Sequence, residues 1–155
     1  SAMASPLPLP SRPAVHAAAQ ADPLYTPPDG KFVDSALSKI ALLFCSKATT
    51  PAGVAVATEI ANAVGKDDLV VVGMKMNPEC SKAVKALEAA GHAHTYLEYG
   101  GYTSMYAERL AVKKWSGWQL YPQVFVKGQL IGGLELTKKL IASGELVKLL
   151  QAERS

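Results

Sequence analysis

The sequence predicts an α/β domain built on a four-stranded mixed sheet with helices on both faces. Residues 69–72 are a continuous run of leucine and valine, which is typical of a strand buried on both faces. The next segment repeats small and apolar residues at helical spacing: Ala83, Val84, Leu87 and Ala90. Residues 93–98 are a second strand, which a right-handed crossover makes parallel to the first. Residues 123–131 form a hairpin, which adds two antiparallel strands.

The hairpin carries the most informative local signals. Lys127 and Gly128 form a two-residue turn, and Gly132 with Gly133 breaks the sheet before the next helix. Pro122 stands directly before a central strand, where it cannot donate to the ladder. We therefore predict that the Tyr121-Pro122 peptide bond is cis.

Helices are predicted before and after this core. Thr50 and Pro51 are typical of the cap and first position of a helix that ends at Gly65. Three later helices are expected over residues 104–115, 134–143 and 144–152. An extra N-terminal helix is predicted over residues 34–47, with apolar residues on one face: Leu37, Ile40, Leu43 and Phe44. Cys45 lies beside that face and is interpreted as a small core residue.

The composition excludes several classes of protein. The chain has 155 residues, 49% of them hydrophobic, which suits one domain with a buried core. A net charge of +3 gives no reason to expect nucleic acid as a partner. The apolar runs are shorter than the roughly 20 residues that a membrane span needs. Cys45 and Cys80 suggest neither a zinc motif nor a secreted disulfide framework, so we expect a soluble intracellular protein.

Residues 1–30 differ from the rest in composition. Residues 1–3 look like a cloning remnant, and the following residues are rich in proline and alanine. Such a segment buries too little apolar surface to offset its ordering entropy, so we predict a disordered tail and a domain over residues 31–155. The tail is compatible with the remains of an organellar, for example mitochondrial, targeting segment. An ordinary proline-rich tail explains it equally well, which leaves a cytoplasmic or organellar location open.

The sequence from Trp118 to Val124, with Lys127, Gly128 and residues 131–135, resembles the C-terminal half of a monothiol glutaredoxin. In that family a Trp-Pro-Thr-x-Pro-Gln run precedes the last hairpin, and a Gly-Gly-x-Asp turn follows it. The resemblance covers roughly residues 50–150. It implies a thioredoxin-like fold and a helix before the first strand, to which the helix at residues 34–47 is an addition.

The active-site motif of the family is replaced in this chain. The positions that match Cys-Pro-x-Cys or Cys-Gly-Phe-Ser hold Asn77, Pro78, Glu79 and Cys80. Asn77 stands at the nucleophile position, and an amide can neither form a mixed disulfide nor ligate iron as a thiolate does. Asn77 and Pro78 suit a helix start, and Glu79 complements the helix dipole there. The resemblance thus implies a redox-inactive or weakly active domain that acts by binding or assembly, and iron–sulfur cluster carriage ranks last among the alternatives.

Cys80 keeps one enzymatic alternative open. It lies in the first turn of the helix, where the helix N-terminus lowers a thiol pKa while Glu79 opposes that effect. Cys80 is therefore the single catalytic candidate, for a monothiol, glutathione-dependent exchange.

The positions that hold glutathione in the family are better preserved than its nucleophile. The resemblance implies these ligand residues: Lys75, Arg109, Lys113, Tyr121, Pro122, Gly133, Leu134 and Glu135. Cations would face the glycine carboxylate, and a helix start with a nearby acid would receive the γ-glutamyl end. Glu135 replaces the usual Asp, and the loop between Lys75 and Asn77 is short, so we expect at most a weak glutathione site. The alternative is that these residues are solvated surface charges.

Two other groups of residues carry weaker signals. His92 and His94 share a face of the predicted second strand, but two histidines without a third ligand do not indicate a metal site. Aromatic residues are frequent from Tyr96 to Trp118, and most of them are interpreted as core or groove wall. A contiguous exposed part of that region would indicate an unidentified protein partner.

Overall fold

The structure is a computed structural model that describes residues 8–28 and 49–154. In chain order the elements are β1 (Ala14–Val15), α1 (Ala17–Gln20), α2 (Pro51–Lys66), β2 (Leu69–Gly73), α3 (Pro78–Ala89), β3 (Thr95–Glu98), α4 (Tyr106–Ser116), β4 (Gln123–Val126), β5 (Gln129–Gly132), α5 (Leu134–Ser143) and α6 (Glu145–Gln151). The predicted helix at residues 34–47, with Cys45, lies outside the described residues. The other predicted elements are present, with boundaries that differ by one or two residues.

One sheet with the strand order β1-β5-β4-β2-β3 forms the centre of the fold. Strand β2 pairs in parallel with β3 and antiparallel with β4, and β4 and β5 form the predicted hairpin. These four strands confirm the predicted mixed sheet. The prediction of only four strands is wrong, because β1 adds a fifth strand in parallel to β5.

Residues 8–28, which we call the N-terminal segment, supply that fifth strand. Ala14 is in register with Gln129, and the backbone N–H of His16 donates to the carbonyl of Leu130 at 2.8 Å. Ala19 is fully buried. The sequence predicts a disordered tail over residues 1–30, whereas in the structure residues 8–28 pack against the sheet. Their composition builds no core of its own, but the unpaired edge of β5 and the apolar surface beside it provide one.

The sheet separates two apolar clusters because successive residues of β2 point to opposite faces. Val70 and Val72 belong to one cluster, together with Ile60 of α2 and Trp115 of α4. The other cluster contains Val71 and residues from helices on the second face, namely Leu87, Leu140 and Leu146. All residues of β2 are buried, as its valine run predicts.

The helix starts follow from local sequence. Thr50 caps α2 with its hydroxyl oxygen, which accepts from the N–H of Gly53 at 3.0 Å. The side chain of Asn77 caps α3 in the same way, by accepting from the N–H of Glu79 at 2.9 Å. In each helix a proline occupies the first position, where its missing N–H costs nothing.

No helix among residues 8–28 and 49–154 combines the length and the apolar character that crossing a bilayer requires.

We expect Gly117→Ala to lower the free energy of unfolding by at least about 1 kcal/mol, the usual cost of a left-handed backbone for a residue with a Cβ. Gly117 has φ +81°, and an added Cβ would lie 2.6 Å from the carbonyl oxygen of Thr26 in the N-terminal segment. Denaturant titration measures the effect. Gly65→Ala is the control, because its Cβ would meet open space at the end of a helix. Equal stabilities for the two variants would contradict both the backbone strain at Gly117 and the close contact with Thr26.

Candidate functional site

Five of the sequence-predicted ligand residues line one groove: Tyr121, Pro122, Gly133, Leu134 and Glu135. The groove has a volume of about 140 Å³. Its floor depends on the predicted cis Tyr121-Pro122 bond, which is confirmed. Gly133 leaves room for the approach of Trp118 and Pro122, since a Cβ there would lie 3.2 Å from Trp118 Nε1 and 3.3 Å from the Pro122 carbonyl oxygen.

The start of α3 forms another side of this groove, through Glu79. Asn77, at the family's nucleophile position, directs its side-chain oxygen to the N–H of Glu79. The residue before it, Met76, has φ +61° and is 87% exposed. The Asn77 side chain therefore builds the helix start, as the sequence predicts, and contributes no sulfur.

Cys80 lies in the first turn of α3 and is buried, with only 1% of its surface exposed. Burial is the main cause that raises the pKa of its thiol, and the negative charges of Glu98 and Glu79 add to it. A hydrogen bond with the backbone of Met74 opposes this effect without overcoming it. Near neutral pH Cys80 is thus a protonated thiol without solvent access, because burial outweighs the effect of the helix N-terminus.

Arg109 does not reach the groove, although its position in the sequence matches a ligand residue. It is 4% exposed, and its Nη1 donates to the backbone carbonyls of Tyr99, at 3.1 Å, and of Ser104. Its guanidinium carbon also lies 4.9 Å from the centre of the Tyr106 ring. The charge of Arg109 therefore holds the loop between β3 and α4.

The two predicted lysine ligands are also separate from the groove lining. Lys113 has its Nζ 5.7 Å from the centre of the Tyr121 ring, and burial, followed by the nearby charge of Arg109, lowers its pKa. Lys75 is exposed, and its backbone N–H donates to Gly100 at 2.7 Å. Among the residues that the structure describes, the charged side chains lining the groove are all carboxylates: Asp22, Glu79 and Glu135.

The two histidines lie outside the strand on which they were predicted, and the aromatic region contains both buried and exposed residues. His92 and His94 precede β3, which begins at Thr95, so they do not share a strand face as predicted. Residues 8–28 and 49–154 contain no group of three side chains suited to bind a metal. Four aromatic residues of the region or directly after it are buried: Tyr99, Trp115, Trp118 and Tyr121. Three others are exposed: Tyr96, Tyr102 and Tyr106.

Sequence reasoning missed two features of this end of the molecule. Asp22 and Leu24 of the N-terminal segment line the same groove as Tyr121 and Glu135. A second, open groove of about 640 Å³ lies between α3 and β3, with Met76 and Tyr96 among its lining residues. No local pattern signals either feature, because each depends on contacts between distant parts of the chain.

We expect Arg109→Ala to lower the free energy of unfolding by about 2 kcal/mol or more, because two carbonyls lose a charged donor. Denaturant titration with a tryptophan fluorescence readout measures this change. Lys75→Ala, which removes an exposed cation from the same predicted ligand set, should change the free energy by less than about 0.5 kcal/mol. If Arg109→Ala is as stable as Lys75→Ala, the guanidinium does not hold the loop.

Comparison with known proteins agrees with this architecture. The sequence profile of the glutaredoxin family matches residues 69–131. A glutaredoxin-like protein of Dictyostelium discoideum is 45% identical over 91 residues, which cover 59% of this chain and 74% of that protein. A probable monothiol glutaredoxin 2 of Rickettsia typhi is 33% identical over 99 residues, with 61% of this chain and 86% of that protein covered. Human glutaredoxin-3 is 36% identical over 87 residues, but the match spans only 25% of that protein.

Solved structures share the fold. A buckwheat glutaredoxin in complex with glutathione superimposes with a TM-score of 0.58 at 24% identity, covering 66% of this chain and 94% of that one. Oxidized glutaredoxin 2 from Chlamydomonas reinhardtii gives a TM-score of 0.56 at 29% identity, over 64% of this chain and 94% of that one. The thioredoxin-like fold is thus confirmed, with five strands in its sheet. The chain belongs to the glutaredoxin family, and monothiol glutaredoxins are among its relatives.

Proposed function

We propose that this chain is a glutaredoxin-family domain that does not catalyse efficient thiol–disulfide exchange and acts by binding, with a weak site for glutathione. The observation that carries the proposal is the helix start at Asn77. The residue at the nucleophile position is an amide whose oxygen already accepts from the N–H of Glu79 at 2.9 Å. Exchange begins with attack by a thiolate on a disulfide sulfur, and Asn77 supplies no thiolate.

The one described cysteine does not replace the missing nucleophile. Cys80 is 1% exposed, so a disulfide cannot reach its sulfur without a movement of the surrounding residues. Its raised pKa keeps the thiolate fraction low at neutral pH. The alternative function, monothiol exchange by Cys80, requires that Cys80 becomes exposed and that its pKa falls.

An iron–sulfur cluster does not fit the residues at this site. Such clusters are held mainly by cysteine thiolates, and the position that would face the cluster is Asn77. The thiol of Cys80 is buried and protonated. We therefore assign no cluster-dependent step to this chain.

The groove around Pro122 supports weak binding of glutathione. Leu134 and Glu135 lie in the first turn of α5, where backbone N–H groups have no partner within the helix and suit a carboxylate. The carboxylate of Glu135 suits an ammonium group of the ligand. Arg109 and Lys113 contribute little, since their charges are held elsewhere. A small polar ligand bound in this way reaches about millimolar to high-micromolar affinity.

In a glutathione-coupled disulfide reduction assay we expect a rate near background, and no further loss in Cys80→Ser. Asn77→Cys should raise the rate at least about tenfold, because a thiol at a helix N-terminus has a lowered pKa and lies at the family's nucleophile position. Robust turnover of the natural sequence that disappears in Cys80→Ser would instead establish the enzymatic alternative.

In an NMR titration with millimolar glutathione we expect shifts at Tyr121, Gly133 and Glu135. Glu135→Ala should weaken them because the ammonium group loses its acid. The control is Glu145→Ala, since Glu145 also lies in the first turn of a helix but does not line the groove. The binding part of the proposal fails if millimolar glutathione moves no groove resonance.

A further inference from the structure

The N-terminal segment forms one wall of the groove described above. Asp22 and Leu24 line it beside Trp118 and Tyr121. The next residue, Tyr25, makes an antiparallel bridge with Trp118, and the carbonyl of Leu24 accepts from the N–H of Gln119 at 3.2 Å. The profile match to the family begins at residue 69, so this wall comes from a part of the chain outside that match.

Polar contacts fasten the segment on both sides of these wall residues. After them, the N–H of Thr26 donates to Gly117 at 2.7 Å, and the Thr26 carbonyl accepts from Arg12 Nη1 at 2.6 Å. Before them, the Ser11 carbonyl accepts from Trp115 Nε1 at 2.8 Å. Hydrogen bonds of this kind exchange readily for bonds to water, so these polar contacts are specific and can open. The pairing of β1 with β5 and the burial of Ala19 hold the earlier part of the segment, so the part that can leave the groove is the stretch with Asp22 and Leu24.

The groove is too small for its proposed ligand, glutathione. Its volume of about 140 Å³ is well below the roughly 300 Å³ at which sites for drug-sized molecules begin. A tripeptide therefore fits only partly while Leu24 stays in place.

The charge of the wall also disfavours glutathione binding. Asp22 adds a carboxylate to Glu79 and Glu135, and no basic side chain of the described residues lines the groove. Glutathione has two carboxylates and one ammonium group, so like charges meet at the wall.

We propose that the N-terminal segment is an intramolecular cover, which must leave the groove before glutathione fills it. This inference rests on the proposed glutathione site and states how that site is regulated. Binding of the ligand and docking of the segment exclude one another. The apparent dissociation constant then equals the intrinsic one divided by the fraction of molecules with an open groove.

Variants that loosen the cover test the inference in the full chain. Arg12→Ala removes the bond to Thr26, and Leu24→Ala removes apolar wall surface. In an NMR titration each should bind glutathione at least about fivefold more tightly, the low end of ordinary coupling between sites. Arg154→Ala is the matched control, because Arg154 also donates to a backbone carbonyl, that of Val64 at 3.0 Å, but does not line the groove.

Amide hydrogen exchange gives a second, independent readout. Coupling is reciprocal, so saturating glutathione should loosen the segment. We expect the N–H of Thr26, which donates to Gly117, to exchange several-fold faster with glutathione than without it. The N–H of Val54, which donates to Thr50 within α2, should be unaffected.

The outcomes separate the two proposals. Tighter binding by Arg12→Ala and Leu24→Ala than by the natural sequence, with Arg154→Ala unchanged, supports the cover. Affinities equal to or weaker than that of a glutathione-binding natural sequence overturn the cover and leave the glutathione site intact. Weaker binding would show that Leu24 and the segment contribute contacts to the ligand. If neither the natural sequence nor any variant binds, both proposals are overturned.

Discussion

The buried indole of Trp118 connects the three parts of the candidate site, and their arrangement depends on it. Its ring lies against Gly132 and Gly133, its backbone bridges to Tyr25, and its carbonyl accepts from Gln123 Nε2 at 3.0 Å. The loop before β4, the turn before α5 and the N-terminal segment therefore all contact this one residue, through its ring or its backbone. Because a close-packed interior transmits displacement, a shift of any of these parts is felt by the other two.

Asn77 caps a helix at the position where the family's chemistry uses a thiol. An Asn at the N-cap satisfies a backbone donor that would otherwise lack a partner, which is worth about 1 kcal/mol to the helix. The same substitution removes the sulfur on which the chemistry of the family depends. Burial of Cys80 adds to this loss, since an apolar environment favours the neutral thiol. These two observations are the basis on which we propose a domain that acts by binding rather than by exchange.

The positive charges of the candidate site are used within the fold. Arg109 binds two carbonyls of the loop before α4, and Lys113 lies over the ring of Tyr121. Burying a guanidinium is costly unless its donors are paired, so Arg109 cannot turn towards a ligand without leaving two carbonyls unpaired. An anionic ligand then depends on backbone N–H groups at the start of α5, which explains why we expect weak binding.

The sequence by itself determined the elements whose signals are local. The valine run of β2, the turn at Lys127 and Gly128, the caps at Thr50 and Asn77 and the cis bond before Pro122 were all predicted from neighbouring residues. Tertiary structure alone decided what depends on distant contacts. The pairing of β1 with β5 ordered a segment whose composition predicts disorder, and packing directed Arg109 away from the groove and enclosed Cys80. The physical reason is that backbone propensity acts within a few residues, whereas burial and charge depend on which surfaces the fold brings together.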